Sequence, residues 1–86
     1  MKSTTTDPFH TLLAGLPENI RQQAKRNYEL FKQNPYHPSL QFKQVNPSAP
    51  IDSVRIGRGY RALGRKDGNE ITWFWIGSPG DYDKLI

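Results

Sequence analysis

The side chains of this sequence that could do chemistry are mostly cationic, and they are concentrated in one segment. Between positions 43 and 66 the only acid is Asp52, and the cations are Lys43, Arg55, Arg58, Arg61, Arg65 and Lys66. Cationic side chains bind phosphates and neutralise the charge that builds on a pentavalent phosphorus. This chemistry suits RNA cleavage by its own 2′-hydroxyl, which also needs a base and an acid. The alternative is a set of solvated strand residues that pair with Asp52, Glu70 or Asp81.

Three aromatic residues could take part in the same chemistry. Tyr82 lies in a polar C-terminal run and is predicted to be exposed, where it could act in RNA binding, proton transfer or packing. Trp73 and Trp75 could stack on bases. Aromatic residues two apart on a central strand more often form core, so we expect at least one of the two to be buried.

The composition excludes several other classes of site. The chain has 86 residues, a net charge of +4 and no cysteine, so it has neither a disulfide nor a thiolate nucleophile. His10 and His37 lie on different predicted elements without metal-ligand spacing, and the glycines of "GRGYRALG" lack the strand-then-helix context of a phosphate loop. We therefore predict no metal and no cofactor. No apolar run approaches the roughly 20 residues of a membrane span, so a cytoplasmic protein is expected.

Two helices are predicted in the first half of the chain. Asp7, Pro8 and Gly15 have the types expected for the cap, the first turn and the end of a short helix. A longer helix is predicted from Pro17 to about Gln33. Its apolar stripe consists of Leu16, Ile20, Ala24, Tyr28 and Phe31. Residues 1–6 are polar and are predicted to be mobile.

The second half has the alternating pattern of strands. Leu40 and Phe42 begin the first predicted strand. Residues 53–64 are predicted to form one long strand or two strand pieces that meet at a bulge. Asp67-Gly68 predicts a hairpin. Residues 70–77 are predicted to form a central strand, with Ile71, Trp73 and Trp75 on one face and Phe74 and Ile76 on the other. A last short strand is expected near 82–86. The pattern predicts a single α+β domain over residues 1–86.

Three stretches resemble the RelE/ParE toxin superfamily of type II toxin–antitoxin systems, and its RelE-like branch in particular. They are "HPSLQFKQV", "SVRIGRGYRALG" and "WFWIGSPGDYDKLI", and the resemblance extends over about residues 16 to 86. It implies one or two N-terminal helices packed on a small twisted, mainly antiparallel sheet, and an antitoxin protein as partner. RelE-like members cleave mRNA, usually on the ribosome and without metal, whereas ParE-like members inhibit DNA gyrase.

The resemblance also assigns roles to individual residues. Arg55 resembles an arginine that binds the scissile phosphate, Arg61 the arginine of a Tyr-Arg pair, and Tyr82 a C-terminal aromatic that stacks or aids proton transfer. These three are the expected catalytic residues. Basic residues expected to bind RNA are Lys43, Arg58 and Arg65. Pro79 stands where related RNases place a histidine or arginine, and proline cannot transfer a proton.

The expectation is thus a metal-independent mRNA endonuclease weakened at Pro79. The alternatives are a ParE-like, non-enzymatic toxin that binds gyrase, or a degenerate member that binds only its antitoxin or nucleic acid.

Overall fold

The computed structural model describes residues 1–85. It consists of a five-stranded sheet with helices on both faces. The elements in chain order are β1 (Lys2–Thr5), α1 (Asp7–Ala14), α2 (Glu18–Gln33), β2 (Lys43–Asn46), β3 (Ile51–Ile56), β4 (Tyr60–Asp67), β5 (Glu70–Gly77) and α3 (Pro79–Leu85), with a 3₁₀ turn at Pro38–Leu40 between α2 and β2. The strand order is β1-β5-β4-β3-β2. Only β1 pairs in parallel, so the predicted α+β fold with a mainly antiparallel sheet is confirmed.

The helical stripe predicted for the first half of the chain packs α2 onto the sheet. Ala24 and Phe31 are buried, while Ile20 and Tyr28 pack partly buried against the same core. The Phe31 ring meets the indole of Trp73 edge-on at a centroid distance of 5.3 Å. We call the face of the sheet under α1 and α2 the helical face. Its buried strand residues are Val54, Ile56, Ala62, Ile71, Trp73 and Ile76.

The N-terminal segment is ordered, and the prediction that residues 1–6 are mobile is wrong. Lys2–Thr5 pairs with β5 from Glu70 to Trp73. The Trp73 indole N–H donates to Ser3 Oγ at 2.9 Å, and the Tyr28 hydroxyl donates to the Ser3 carbonyl at 3.3 Å. A polar edge strand carries little local signal, because the backbone partners that order it come from about 70 positions away. Thr6, rather than Asp7, caps α1, since Thr6 Oγ1 accepts from the backbone N–H of Phe9.

The segment 53–64 is neither one strand nor two pieces meeting at a bulge. It is a hairpin in which Ile56 pairs with Tyr60 around a three-residue turn. Gly57 occupies the left-handed region at φ +63°, which glycine adopts without steric cost and which lets the chain reverse. The first predicted strand also begins later than expected. Leu40 lies in the 3₁₀ turn and Gln41 has φ +47°, so β2 starts only at Lys43.

The strand predicted over 70–77 is confirmed, as is a hairpin before it. The two turn residues are Gly68 and Asn69 rather than the predicted Asp67 and Gly68, because Asp67 still pairs with Glu70. The predicted division of its faces is wrong. Leu63 pairs with Trp75 while Gly64 pairs with Trp73, so Phe74 is an extra residue in a bulge. Because a bulge interrupts the alternation of side chains, Trp75 faces away from Trp73. Ile76 then joins Trp73 in the core.

The C-terminal segment is helical, so the strand expected near 82–86 is wrong for the residues described; Ile86 lies outside them. Ser78 Oγ accepts from the backbone N–H of Asp81 at 3.2 Å, and Pro79 occupies the first turn of α3, where its fixed φ suits a helix. No helix within residues 1–85 is long and apolar enough to cross a membrane.

Candidate functional site: a cationic sheet face under the last helix

The face of the sheet opposite α1 and α2 carries four of the predicted basic residues, which are Lys43, Arg55, Arg61 and Arg65. Arg55 on β3 pairs directly with Arg61 on β4, and Lys43 on β2 pairs with Ser53 on β3. Directly paired residues point to the same side of a sheet, and residues two apart along a strand share a face. These four residues therefore share one surface, which we call the cationic face.

Arg61 has the most unusual environment on the cationic face. Its Nη2 donates to Gln41 Oε1 at 3.3 Å, and its guanidinium carbon lies 5.8 Å from the centroid of the Tyr82 ring. Its Nη1 is buried and has no hydrogen-bond partner among the described residues. A buried, charged donor without an acceptor is costly, and an anion would satisfy it once the guanidinium turns towards solvent.

Tyr82 is buried rather than exposed as predicted, with 9% of its surface accessible. Helix α3 lays its ring across the cationic face, 6.4 Å between centroids from Trp75. Trp75 in turn lies over Gly77, where a Cβ atom would come within 2.6 Å of the indole. Gly77 is thus the close-approach position that lets Trp75, Tyr82 and Arg61 stack in succession.

Arg55 is tied to the β3–β4 hairpin and to α2. Its Nε donates to the carbonyl oxygen of Gly57 at 2.7 Å, which bends the side chain along the hairpin turn. Asn27 on α2 donates its amide N–H to the Arg55 carbonyl oxygen at 2.8 Å. The helix therefore positions the backbone that carries this arginine.

The remaining predicted RNA-binding residues lie apart from this pair. Arg58 is exposed in the hairpin turn. Arg65 is exposed on the cationic face but four residues beyond Arg61 on β4, which is about 13 Å at the rise of a strand. Lys43 is exposed on β2 at one side of the sheet. The structure thus brings Arg55, Arg61 and Tyr82 to one region and spreads the other three around it.

The alternative in which the arginines pair with acids has no support in residues 1–85. The ion pairs found there are Lys2–Glu70 at 3.6 Å and Lys32–Glu29 at 3.1 Å, both exposed. Asp52 is buried, and its burial raises the pKa of its carboxyl, with the positive charge of Lys66 acting in the opposite direction. The cations of the cationic face are therefore not neutralised by the carboxylates that the structure describes.

Pro79 lies against the hairpin turn. Its Cγ would be 2.8 Å from a Cβ atom on Gly59, so this glycine makes room for the proline ring. Together with Gln23, Arg58 and Tyr60 it lines a groove of about 530 Å³ between α2 and the turn. The contacts of Pro79 are therefore with the hairpin that carries Arg58.

Sequence reasoning missed Gln41 and Ser53, and it named Trp75 as a stacking residue without placing it beside Tyr82. Gln41 reaches Arg61 from the turn before β2, and Trp75 supports Tyr82 only because the bulge reverses its direction. Ser53 is fully buried, and its Oγ has no hydrogen-bond partner in the described part of the chain. No short-range pattern marks these positions. No three potential metal-ligating side chains cluster within residues 1–85.

Comparison with solved structures agrees with this fold. Solved structures with the same fold include the RelB-RelE antitoxin–toxin complex of Methanococcus jannaschii, at 17% identity and a TM-score of 0.77 over 96% of this chain and 98% of that chain. The RelBE2 toxin–antitoxin complex of Mycobacterium tuberculosis matches at 20% identity and a TM-score of 0.69 over 90% and 95% of the two chains. The intact RelBE complex of E. coli matches at 11% identity and a TM-score of 0.66 over 90% and 94%.

No curated protein matches this chain significantly in sequence. The model of the ParE-like toxin domain, however, matches residues 18–84, which run from the start of α2 into α3. The match takes in the whole cationic face and most of the described chain. The chain therefore belongs to the ParE-like toxin domain family, within the RelE/ParE superfamily of toxins.

Proposed function

We propose that this chain is the toxin of a toxin–antitoxin pair and that it cleaves mRNA during translation without a metal ion. The observation that carries the proposal is the pairing of Arg61 with Arg55 on a face where no described carboxylate neutralises them, with one buried N–H donor of Arg61 unpaired. A phosphodiester supplies the oxygen acceptors and the negative charge that such a donor lacks.

In the proposed reaction the RNA provides its own nucleophile. The 2′-oxygen attacks phosphorus, the bond from phosphorus to the 5′-oxygen breaks, and the products are a cyclic 2′,3′-phosphate and a 5′-hydroxyl. Arg61 binds a non-bridging oxygen and stabilises the charge of the phosphorane. Arg55 binds the same phosphate from the paired position on β3. Lys43, Arg58 and Arg65, at the margins, bind the RNA backbone and add affinity rather than rate.

Tyr82 would hold the guanidinium of Arg61 in place through its ring, supported by Trp75. The sequence also suggested proton transfer for its hydroxyl. Tyr82→Phe separates the two roles, because it keeps the ring and removes the hydroxyl. A loss of cleavage rate with unchanged RNA affinity in this variant would assign the proton transfer, and unchanged cleavage would leave the ring as the functional part.

The proposed partner that restrains the toxin is an antitoxin protein. The solved complexes from Methanococcus jannaschii, Mycobacterium tuberculosis and E. coli each pair a toxin of this fold with an antitoxin. Here an acidic segment of the antitoxin would bind the cationic face and compete with RNA, since no carboxylate of residues 1–85 pairs with Arg55 or Arg61.

A second candidate is a ParE-like toxin that binds gyrase and has no enzymatic activity. It is favoured by the ParE-like description of the family that matches residues 18–84, and by Pro79, which cannot serve as a general acid. The ribonuclease remains the first proposal, because an unpaired arginine donor is more informative about an anionic ligand than the absence of one acid.

The test is induced expression in a bacterial host, with growth, DNA-damage signalling and the 5′ ends of mRNA recorded together. The ribonuclease predicts growth arrest with new mRNA ends within open reading frames, both lost in Arg61→Ala. Lys32→Gln, an exposed change on α2 away from the cationic face, should behave as wild type. DNA-damage signalling with intact transcripts would select the gyrase toxin. No growth effect would select a member that only binds its antitoxin or nucleic acid, and would refute both toxin activities.

A further inference from the structure

A cavity between the two N-terminal helices and the sheet takes no part in the proposed function. Its volume is about 330 Å³, and it is open along one side. The apolar wall consists of Ala24, Phe31, Val54, Ile56, Ala62 and Trp73. For comparison, an engineered apolar cavity of about 150 Å³ binds benzene. The space is therefore large enough for a medium-length hydrocarbon chain.

Two cationic side chains stand beside the apolar wall of this cavity. Arg21 and Lys25, one helical turn apart on α2, both line it and both have exposed positions. Neither forms an ion pair with a carboxylate in residues 1–85. Asn27 and Tyr28 have their polar atoms engaged with the Arg55 and Ser3 carbonyl oxygens, and Arg21 donates from Nη1 to the Leu16 carbonyl oxygen. The charge that Arg21 and Lys25 bring to the cavity is thus positive and has no acidic partner among the residues described.

Small-molecule sites combine an apolar pocket of roughly 300–1,000 Å³ with a few placed polar groups, and this cavity fits that description. We propose that it binds an amphiphile with an anionic head, specifically a medium-chain carboxylate. The chain enters between α1 and α2 onto the helical face, and the carboxylate stays at the lip between Arg21 and Lys25. An alcohol with the same tail would lose the charge interaction, and a cationic amphiphile would be repelled.

The two tryptophans provide an internal control for the test. Trp73 lines the cavity, whereas Trp75 lies on the cationic face beyond the bulge. Titration of the full chain with sodium decanoate, below its micelle concentration, should therefore shift the Trp73 indole N–H resonance saturably and leave that of Trp75 unchanged. At a tenfold excess over Kd the melting temperature should rise by about 6–11 °C.

Variants separate the tail from the head. Lys25→Gln with Arg21→Gln should weaken decanoate binding by about 3–10-fold, as expected for exposed charge pairs, and leave decanol binding unchanged. Arg26→Gln is the matched control, because it removes the same charge from the same helix at a residue that does not line the cavity. Ala24→Leu should fill the space and abolish binding, and Ala62→Val serves if the leucine variant does not fold.

Four outcomes would overturn the proposal. They are no saturable shift of Trp73, equal affinity for decanoate and decanol, equal weakening by Arg26→Gln, and undiminished binding by a folded variant with a filled cavity. None of these readouts involves RNA cleavage. The proposal for the cavity can therefore be refuted while the proposed ribonuclease activity is retained, and the reverse also holds.

Discussion

Replacing Arg61 with methionine should remove RNA cleavage at almost no cost in folding stability. The substitution deletes the guanidinium and keeps an apolar stem of similar length. It removes a hydrogen bond to Gln41, worth about 0.5–1.5 kcal/mol, and a cation–π contact with Tyr82, worth about 0.5–2 kcal/mol. It also removes the buried, unpaired Nη1, whose desolvation costs about 1–3 kcal/mol. The opposing effects are of similar size, so the free energy of unfolding should change little, and it should fall by at most about 2.5 kcal/mol, which is the largest loss less the smallest gain.

The assay is urea unfolding followed by tryptophan fluorescence, beside mRNA cleavage and the stabilisation produced by a short RNA. Wild type should be stabilised by the RNA and the methionine variant should not, because only the former offers the anion-binding donor. Arg65→Met, an exposed change on the same strand, is the stability control. A destabilisation above about 3 kcal/mol would refute the reasoning, since it is the loss expected when one partner of a satisfied buried charge pair is removed. Undiminished cleavage would refute the role of Arg61.

Four further outcomes can be measured. Gly64→Ala should cost about 1–3 kcal/mol in urea unfolding, because its Cβ would lie within 2.8 Å of two side chains of β5, whereas the same change at Gly80, which has open space, should cost far less. Asp52→Asn should stabilise the protein at pH 7. Burial raises the pKa of Asp52 in the folded state, so the gain in the free energy of unfolding should disappear as the pH falls through that pKa towards the pKa of the unfolded chain. An equal gain at pH 7 and at a pH below both pKa values would contradict this prediction. Arg55→Ala with Arg61→Ala should flatten the log–log salt dependence of RNA affinity by about 0.7–0.9 per lost phosphate contact, and an unchanged slope would mark an ordinary solvated surface. Pro79→His should raise cleavage by about 10²-fold or more if an acid is missing at that corner, and full activity in the proline form would show that no group is needed there.

Local periodicity predicted the elements whose burial is continuous along the chain. The stripe on α2 was found because four of its members face one core, and β5 because both of its faces are apolar. The Asp67-Gly68 pair marked its hairpin because such a turn needs positive φ, which Gly68 adopts at +60°. These signals arise from neighbours within a few residues, which is why the sequence alone contains them.

The parts that escaped prediction depend on contacts between distant residues. β1 is polar and short, and its partner is β5. The bulge at Phe74 adds one residue to β5 alone, so it shows only in the pairing with β4. That single residue turned Trp75 towards Tyr82 and made the C-terminal aromatic a buried one. The resemblance found the basic residues of the cationic face, but not Gln41, which arrives through a left-handed turn.

The parallel pairing of β1 with β5 also sets the order in which the strands can pair during synthesis of the chain. Thr4 lies opposite Thr72, 68 positions later in the chain. At about 5–20 residues per second, the first strand to be synthesised waits roughly 3–14 seconds for its partner. Closing so long a loop costs entropy that only the finished sheet repays. Because α3 follows β5, Tyr82 can join Arg61 only after that wait. A partly synthesised chain therefore lacks the contact between Tyr82 and Arg61, and truncated products should be inert.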